Sequence, residues 1–180
     1  MKEKILKTAL KHFAKSGYEN TSMKEIAEDL GITKPALYYH YKSKNDLYNE
    51  IFKHHFQILK FQKQPTNEEN IIHYIKTMSE FFHKNPDIAK LFAKELSCEG
   101  EHLQEETLKI MSRTIKFLQE SLPNDINPFF IQTLIISAFT TFQNTLNLRK
   151  KVSKLIQKSP DFNIDDEITM TILSYIKAKS

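Results

Sequence analysis

Cysteine, glycine and arginine are scarce in this chain of 180 residues, with one, three and two copies respectively. A lone thiol, Cys98, cannot close an intramolecular disulfide, which points to a reducing compartment. Three glycines and six prolines exclude fibrous, collagenous and low-complexity classes, and they disfavour a turn-rich all-β fold. Charge of one sign is also lacking. Lys plus Arg total 26 against 22 acidic residues, so the net charge is only +4 and any nucleic-acid surface must be a local patch. No uninterrupted apolar run is long enough to cross a bilayer. The most apolar stretch, Ile131 to Leu148, is broken by Gln132, Thr140, Gln143 and Asn144. The start, Met1-Lys2-Glu3-Lys4, has no apolar signal core. No membrane association is expected, and the expected compartment is the cytoplasm.

What is present is helical spacing. Ile5, Leu6, Ala9, Leu10, Phe13 and Ala14 share one face, as do Met23, Ile26, Ala27 and Leu30, and Leu47, Ile51, Phe52, Phe56 and Leu59. Start signals fall between these stretches. Ser22 to Glu25 and Thr66 to Glu69 are capping boxes, Ser43 to Asp46 is a close variant, and Asn85 precedes Pro86. The pattern predicts an all-α chain of about nine helices, over residues 2–16, 22–30, 33–41, 43–61, 66–84, 86–98, 101–122, 128–157 and 163–179. The eighth, if continuous, would be about 45 Å long at roughly 1.5 Å per residue; the alternative is a break near Asn147. Short helices with tight turns fill residues 1–46. Longer helices rich in Phe and Ile fill residues 47–180. Two domains are expected with that boundary.

Within the first domain the spacing fits a helix-turn-helix. Residues 22–30 give the first helix, Gly31 the turn where positive φ is cheap, and Thr33 the cap of the second helix. Pro35 lacks an N–H, so the Thr33 hydroxyl is expected to accept from the Ala36 N–H. Leu37 and Tyr41 face inward. That leaves Lys34, Ala36, Tyr38, Tyr39 and His40 exposed. Lys can reach guanine O6/N7 or a phosphate, Ala36 admits a thymine methyl, and Tyr hydroxyls bond phosphate oxygens. The first 15 residues add five lysines against one glutamate. By pattern alone, an ordinary surface hairpin with solvated lysines is equally compatible.

Gly17-Tyr18-Glu19-Asn20-Thr21-Ser22, Ile26-Ala27, Gly31-Ile32, Ala36-Leu37-Tyr38-Tyr39-His40-Tyr41 and Lys44-Asn45-Asp46-Leu47 stand in one order. In that order they closely resemble the N-terminal domain of TetR-type (tetracycline-repressor family) transcription regulators. The resemblance covers about the first 50 residues; the remainder is similar only in helix count and length. It implies a homodimeric DNA-binding regulator, acting as a repressor at a palindromic operator in double-stranded DNA, and a larger domain that binds an inducer. Carried over by position, Thr33, Lys34, Ala36, Tyr38, Tyr39 and His40 fall at DNA-contacting positions. Tyr38, His40 and Lys44 fall at phosphate contacts, and Thr21 and Ser22 at the start of the preceding helix, near a phosphate. The resemblance also implies that the last two helices of each subunit pair as a four-helix bundle.

In the larger domain most apolar residues are expected to be core. A cavity for a small apolar or amphipathic inducer would be walled by aromatic and Met side chains with a few polar groups. Tyr74, Met78, Phe92, Met111, Phe139 and Gln143 are the candidates. Neither a cofactor nor a metal site is expected. Cys98 and His102 would share a face only if 98–102 were helical, and Gly100 argues against that. Cys98, between Glu99 and Glu101, reads as an inert thiol. Neither a glycine-rich phosphate loop nor a GxSxG motif is present, and no enzyme activity is expected. The alternatives are a helical adaptor that keeps the regulator scaffold, a small helical enzyme, and a regulator without an inducer.

Overall fold

The structure is a computed structural model that describes residues 1–179. Among these residues there are ten α-helices and no strands. They are α1 (Lys2–Ser16), α2 (Met23–Leu30), α3 (Lys34–His40), α4 (Lys44–Gln57), α5 (Asn67–Lys84), α6 (Pro86–Ser97), α7 (Glu105–Gln119), α8 (Pro128–Asn144), α9 (Leu146–Ile156) and α10 (Ile164–Lys179). The chain divides into two compact units. One comprises residues 1–58 and 90–111, the other residues 59–89 and 112–180.

In the first unit the apolar stripe of α1, from Ile5 to Ala14, is buried, and α1 packs on α2 and α4. The Phe13 ring meets Tyr48 edge-on at 5.0 Å, Tyr48 meets Phe52 at 5.2 Å, and Phe92 lies 5.7 Å from Phe56. Burying each such ring stabilises the fold by roughly 1.5–3 kcal/mol. In the second unit α5, α8 and α10 pack mutually around Ile75, Met78, Phe82, Ile135, Phe139 and Ile172.

The expected capping boxes form at Ser22–Glu25 and Thr66–Glu69, and Ser43 caps α4 through the Asp46 N–H. Three expectations change. Helix α7 starts at Glu105, not near residue 101, after the left-handed turn at Glu99 and Gly100. Helix α4 stops at Gln57, not near residue 61, because the chain enters the second unit at Leu59. There the Phe61 ring stacks on Tyr74 and on Phe117, each at 5.0 Å. The predicted 128–157 helix is two helices, which makes ten. At the junction Thr145 has φ −107° and ψ 8°, and its hydroxyl donates to the Thr141 carbonyl at 2.6 Å. Such back-bonding bends helices. Arg149 then caps the end of α8, donating through Nη1 to the Phe142 carbonyl at 2.8 Å.

Candidate nucleic-acid interface

The reading hairpin is built from three local devices. Ser22 Oγ accepts from the Glu25 N–H while the Glu25 carboxylate accepts from the Ser22 N–H, which fixes where α2 begins. Those hydrogen bonds to Ser22 hold the Glu25 carboxyl below the usual carboxylate range. Gly31 ends α2 at φ 66° and ψ 31°, and the Ile32 N–H returns to the Ala27 carbonyl at 3.0 Å. Thr33 starts α3, its hydroxyl accepting from the Ala36 N–H at 3.3 Å, with Pro35 in the first turn.

Helix α3 is held from beneath by one side chain. Leu37 is completely buried, and Tyr41 closes the end. The rest of the helix is open. Thr33, Lys34, Ala36 and Tyr38 are exposed, His40 is half-buried, and Tyr39 is 88% exposed. The Lys34 ammonium lies 5.8 Å from the Tyr38 ring centre, and Tyr39 meets His40 edge-on at 5.6 Å. This face can offer an ammonium, two phenol hydroxyls and an imidazole to an anionic partner, with a small Ala36 between them. Lys42 is exposed just beyond α3, and Lys2, Lys4, Lys7, Lys11 and Lys15 are exposed along α1.

Three expected contact residues have further duties. Thr21 is buried, and its hydroxyl donates to the Gly17 carbonyl at 2.7 Å and faces the His12 carbonyl at 3.3 Å. It fastens the α1–α2 turn. Ser22 is exposed, but its hydroxyl is engaged with Glu25. The Lys44 ammonium donates to the Tyr18 carbonyl at 2.9 Å and sits 4.2 Å over the Tyr18 ring. It retains two further N–H donors.

Nothing in the sequence pattern joins Tyr18, Asn45, Asn49, Glu95 and His102, which form a polar cluster in the same unit. Their signal is absent from any local motif, because Glu95 and His102 lie far along the chain from Tyr18 and Tyr48. The predicted ligand residues are distributed over both units. Phe92 and Met111 belong to the first, and Tyr74, Met78, Phe139 and Gln143 to the second. Tyr74 and Met78 are fully buried, Phe139 nearly so, and the Tyr74 hydroxyl bonds the Gln132 amide oxygen. Burial pushes the Tyr74 phenol far up, so it is a neutral donor. Phe92 is buried, whereas Met111 and Gln143 are half-buried. Among the described residues no group of three or more His, Cys, Asp or Glu could hold a metal ion. Glu99 and Gly100 both have left-handed φ, so Cys98 and His102 share no helical face.

Residues 5–51, which carry this hairpin, match the family model for bacterial regulatory proteins of the tetR family. Over this segment the chain is similar to TetR-type regulators. It is 28% identical over 151 residues to the HTH-type negative transcriptional regulator IcaR of the biofilm operon icaADBC, from Staphylococcus aureus strain Newman. That alignment covers 82% of this chain and 79% of IcaR. Its fold is shared by PfmR, a TetR family regulator from Thermus thermophilus, with a TM-score of 0.67 at 19% identity. The match covers 96% of this chain and 97% of PfmR. AibR, crystallised with isovaleryl coenzyme A and operator DNA, also has a TM-score of 0.67 at 19% identity, with 97% of each chain covered. No helix among the described residues is long and apolar enough to cross a membrane.

Proposed function

We propose that two copies of the regulator hold their α3 helices in successive major grooves of a palindromic operator, about 34 Å apart. A small molecule bound by the larger domain releases them, and release derepresses a nearby gene in the cytoplasm. The observation that carries the DNA reading is the open face of α3, above all the 88% exposure of Tyr39 beside Lys34 and His40. That face combines a cation, two phenols and an imidazole, the groups that bond phosphate oxygens and base edges. In this reading Lys34 and Ala36 read base edges, and Tyr38, Tyr39, His40 and Lys44 hold phosphates. Thr33 and Ser22 lie at helix starts near the backbone, and Thr21 supports the turn. Residues 1–46 are the reading domain, and residues 47–180 the regulatory one.

The dimer surface we assign lies on α8 and α10. Along α8 the exposed column is Phe129, Phe130, Thr133, Ser137 and Thr141; along α10 it is Met170, Thr171, Ser174 and Ala178. The Thr133 and Thr171 hydroxyls each donate back to their own helix, to the Phe129 and Glu167 carbonyls. Outward they offer methyl groups. Small residues allow close helix approach, and the Phe and Met residues supply apolar area for a two-fold interface.

Repression is the activity in the name of IcaR, and a coenzyme A thioester is the ligand in the name of AibR. Both support an inducible repressor here, with Tyr74, Met78, Phe139 and Gln143 as inducer-binding candidates in the second unit and Phe92 and Met111 as candidates in the first. Selection of bound duplexes from a random pool tests the core of the reading. An enriched inverted repeat is the expected outcome, and no enrichment at low salt refutes it. Adding isovaleryl coenzyme A to the resulting complex is the first inducer trial.

A further inference from the structure

Residue His102 lies in the connection between α6 and α7, outside the reading hairpin, yet every polar atom it has is engaged within the first unit. Its backbone N–H donates to Glu95 Oε1 at 2.9 Å. Its carbonyl accepts from the Asn45 and Asn49 side-chain amides at 3.0 and 2.9 Å. Its ring lies 4.1 Å from the Tyr18 ring. Both ring nitrogens face carboxylates, Nδ1 to Glu95 Oε2 at 3.0 Å and Nε2 to Glu19 Oε1 at 3.3 Å.

That last pair decides the chemistry. A neutral imidazole carries one N–H and one lone pair, so one nitrogen would point a lone pair at a carboxylate. Only imidazolium satisfies both contacts. The Glu95 carboxylate is 2% exposed and also accepts from the Tyr48 hydroxyl at 2.7 Å, so it is a fixed partner. Glu19 is exposed and belongs to the α1–α2 turn.

We infer that His102 is a positioning residue for the DNA-binding head, and that its second proton is the tie between the α6–α7 connection and the Tyr18–Glu19 turn. The charged and titratable groups around it are Glu95 and Lys94 on α6, Cys98 and Glu101 in its own connection, Glu19 and Tyr18 in the turn, and Tyr48 and Lys44 on α4. Burial disfavours the imidazolium, but hydrogen bonds to Glu95 and Glu19 and the charges of Glu95 and Glu101 outweigh it, so the net direction is upward. A raised value gives the sign. The tie is fully present below the ordinary histidine value of about 6.5 and is lost as pH rises through the raised one. Above that point Glu19 faces a lone pair, and the turn that precedes α2 keeps Thr21 and Lys44 but loses its charged link to the α6–α7 connection.

The structural half of this inference stands without DNA; the effect on binding rests on the reading proposed above. The experiment compares wild-type protein, H102Q and E19Q between pH 6 and 8.5. The His102 imidazole is titrated by NMR, and hydrogen-exchange protection factors are measured for residues 17–20. Affinity is measured for a duplex enriched from a random pool by the wild-type protein. In the wild type His102 should titrate above 6.5, and protection should fall at least threefold as pH rises. H102Q should remove that fall, and E19Q, at an exposed site, should lower the His102 value. The wild-type and H102Q affinity profiles should diverge by threefold or more across that range. A His102 titration at or below the ordinary value, or superimposable protection profiles, would overturn the inference. A wild-type protein that enriches no duplex defeats the DNA reading instead, and the titration and exchange arms still decide the tie. If H102Q does not fold, E19Q carries the comparison.

Discussion

At the scale of the residue, exposure and burial separate side chains free to meet a partner from those that hold α3 in place. Tyr39 contributes nothing visible to the core. Replacing it with alanine should leave thermal stability within about 0.5 kcal/mol while weakening binding to the enriched duplex. A loss of stability with unchanged binding would contradict its assignment. Leu37 is the reverse case, because it is the one fully buried side chain of α3. Leu37→Ala should cost about 2–5 kcal/mol in denaturant unfolding. Lys34 is exposed and unpaired except for the neighbouring Tyr38 ring. If it meets a phosphate, Lys34→Ala lowers the salt slope of binding by about 1; if it reads a base edge, the slope barely moves and discrimination at one position relaxes. A titration of binding against salt on matched and mismatched duplexes separates these outcomes.

At the scale of the element, capped starts were more legible than ends. Ser22, Thr33, Ser43 and Thr66 each cap the helix that their spacing predicts, because a cap is made by residues three apart in sequence. The turn at Gly31 was equally plain. Its positive φ strains any residue with a Cβ, though open space surrounds it. Gly31→Ala should therefore cost about 1–2 kcal/mol from backbone strain alone, measured by thermal unfolding. Ends follow other rules. Beyond the end of α4, Phe61 stacks on Tyr74 and Phe117, and at the break after α8 the Thr145 hydroxyl adds a second hydrogen bond to the Thr141 carbonyl. Local apolar periodicity runs straight through both places.

At the scale of the whole molecule, assembly and pH are the measurable properties. The α8–α10 face predicts that Ser137→Arg yields monomers at concentrations where the wild type sediments as a dimer, with helical content unchanged. A dimeric Ser137→Arg protein would remove that face from consideration. Two histidines then give opposite pH limbs. Burial holds the His55 imidazole below its ordinary value, against a hydrogen bond to the Ile51 carbonyl. Its neutral form is the folded one, so stability falls as pH drops below about 6.5 through the lowered value. His102 acts on the alkaline side. Urea midpoints should therefore pass through a maximum between these limbs. H55Q should flatten the acid limb relative to wild type, and H102Q the alkaline one.

The class of fold, the position of the helix-turn-helix and the residues on its open face followed from the amino-acid order alone. Caps, glycine turns and helical periodicity act over three or four residues, and the reading hairpin is made almost wholly of such short-range devices. The cluster at His102 and the outer faces of α8 and α10 were decided by tertiary structure. Glu95 meets Tyr48, and Glu19 meets His102, only after distant segments have packed. A carboxylate becomes a fixed partner only when burial removes the water that would otherwise solvate it.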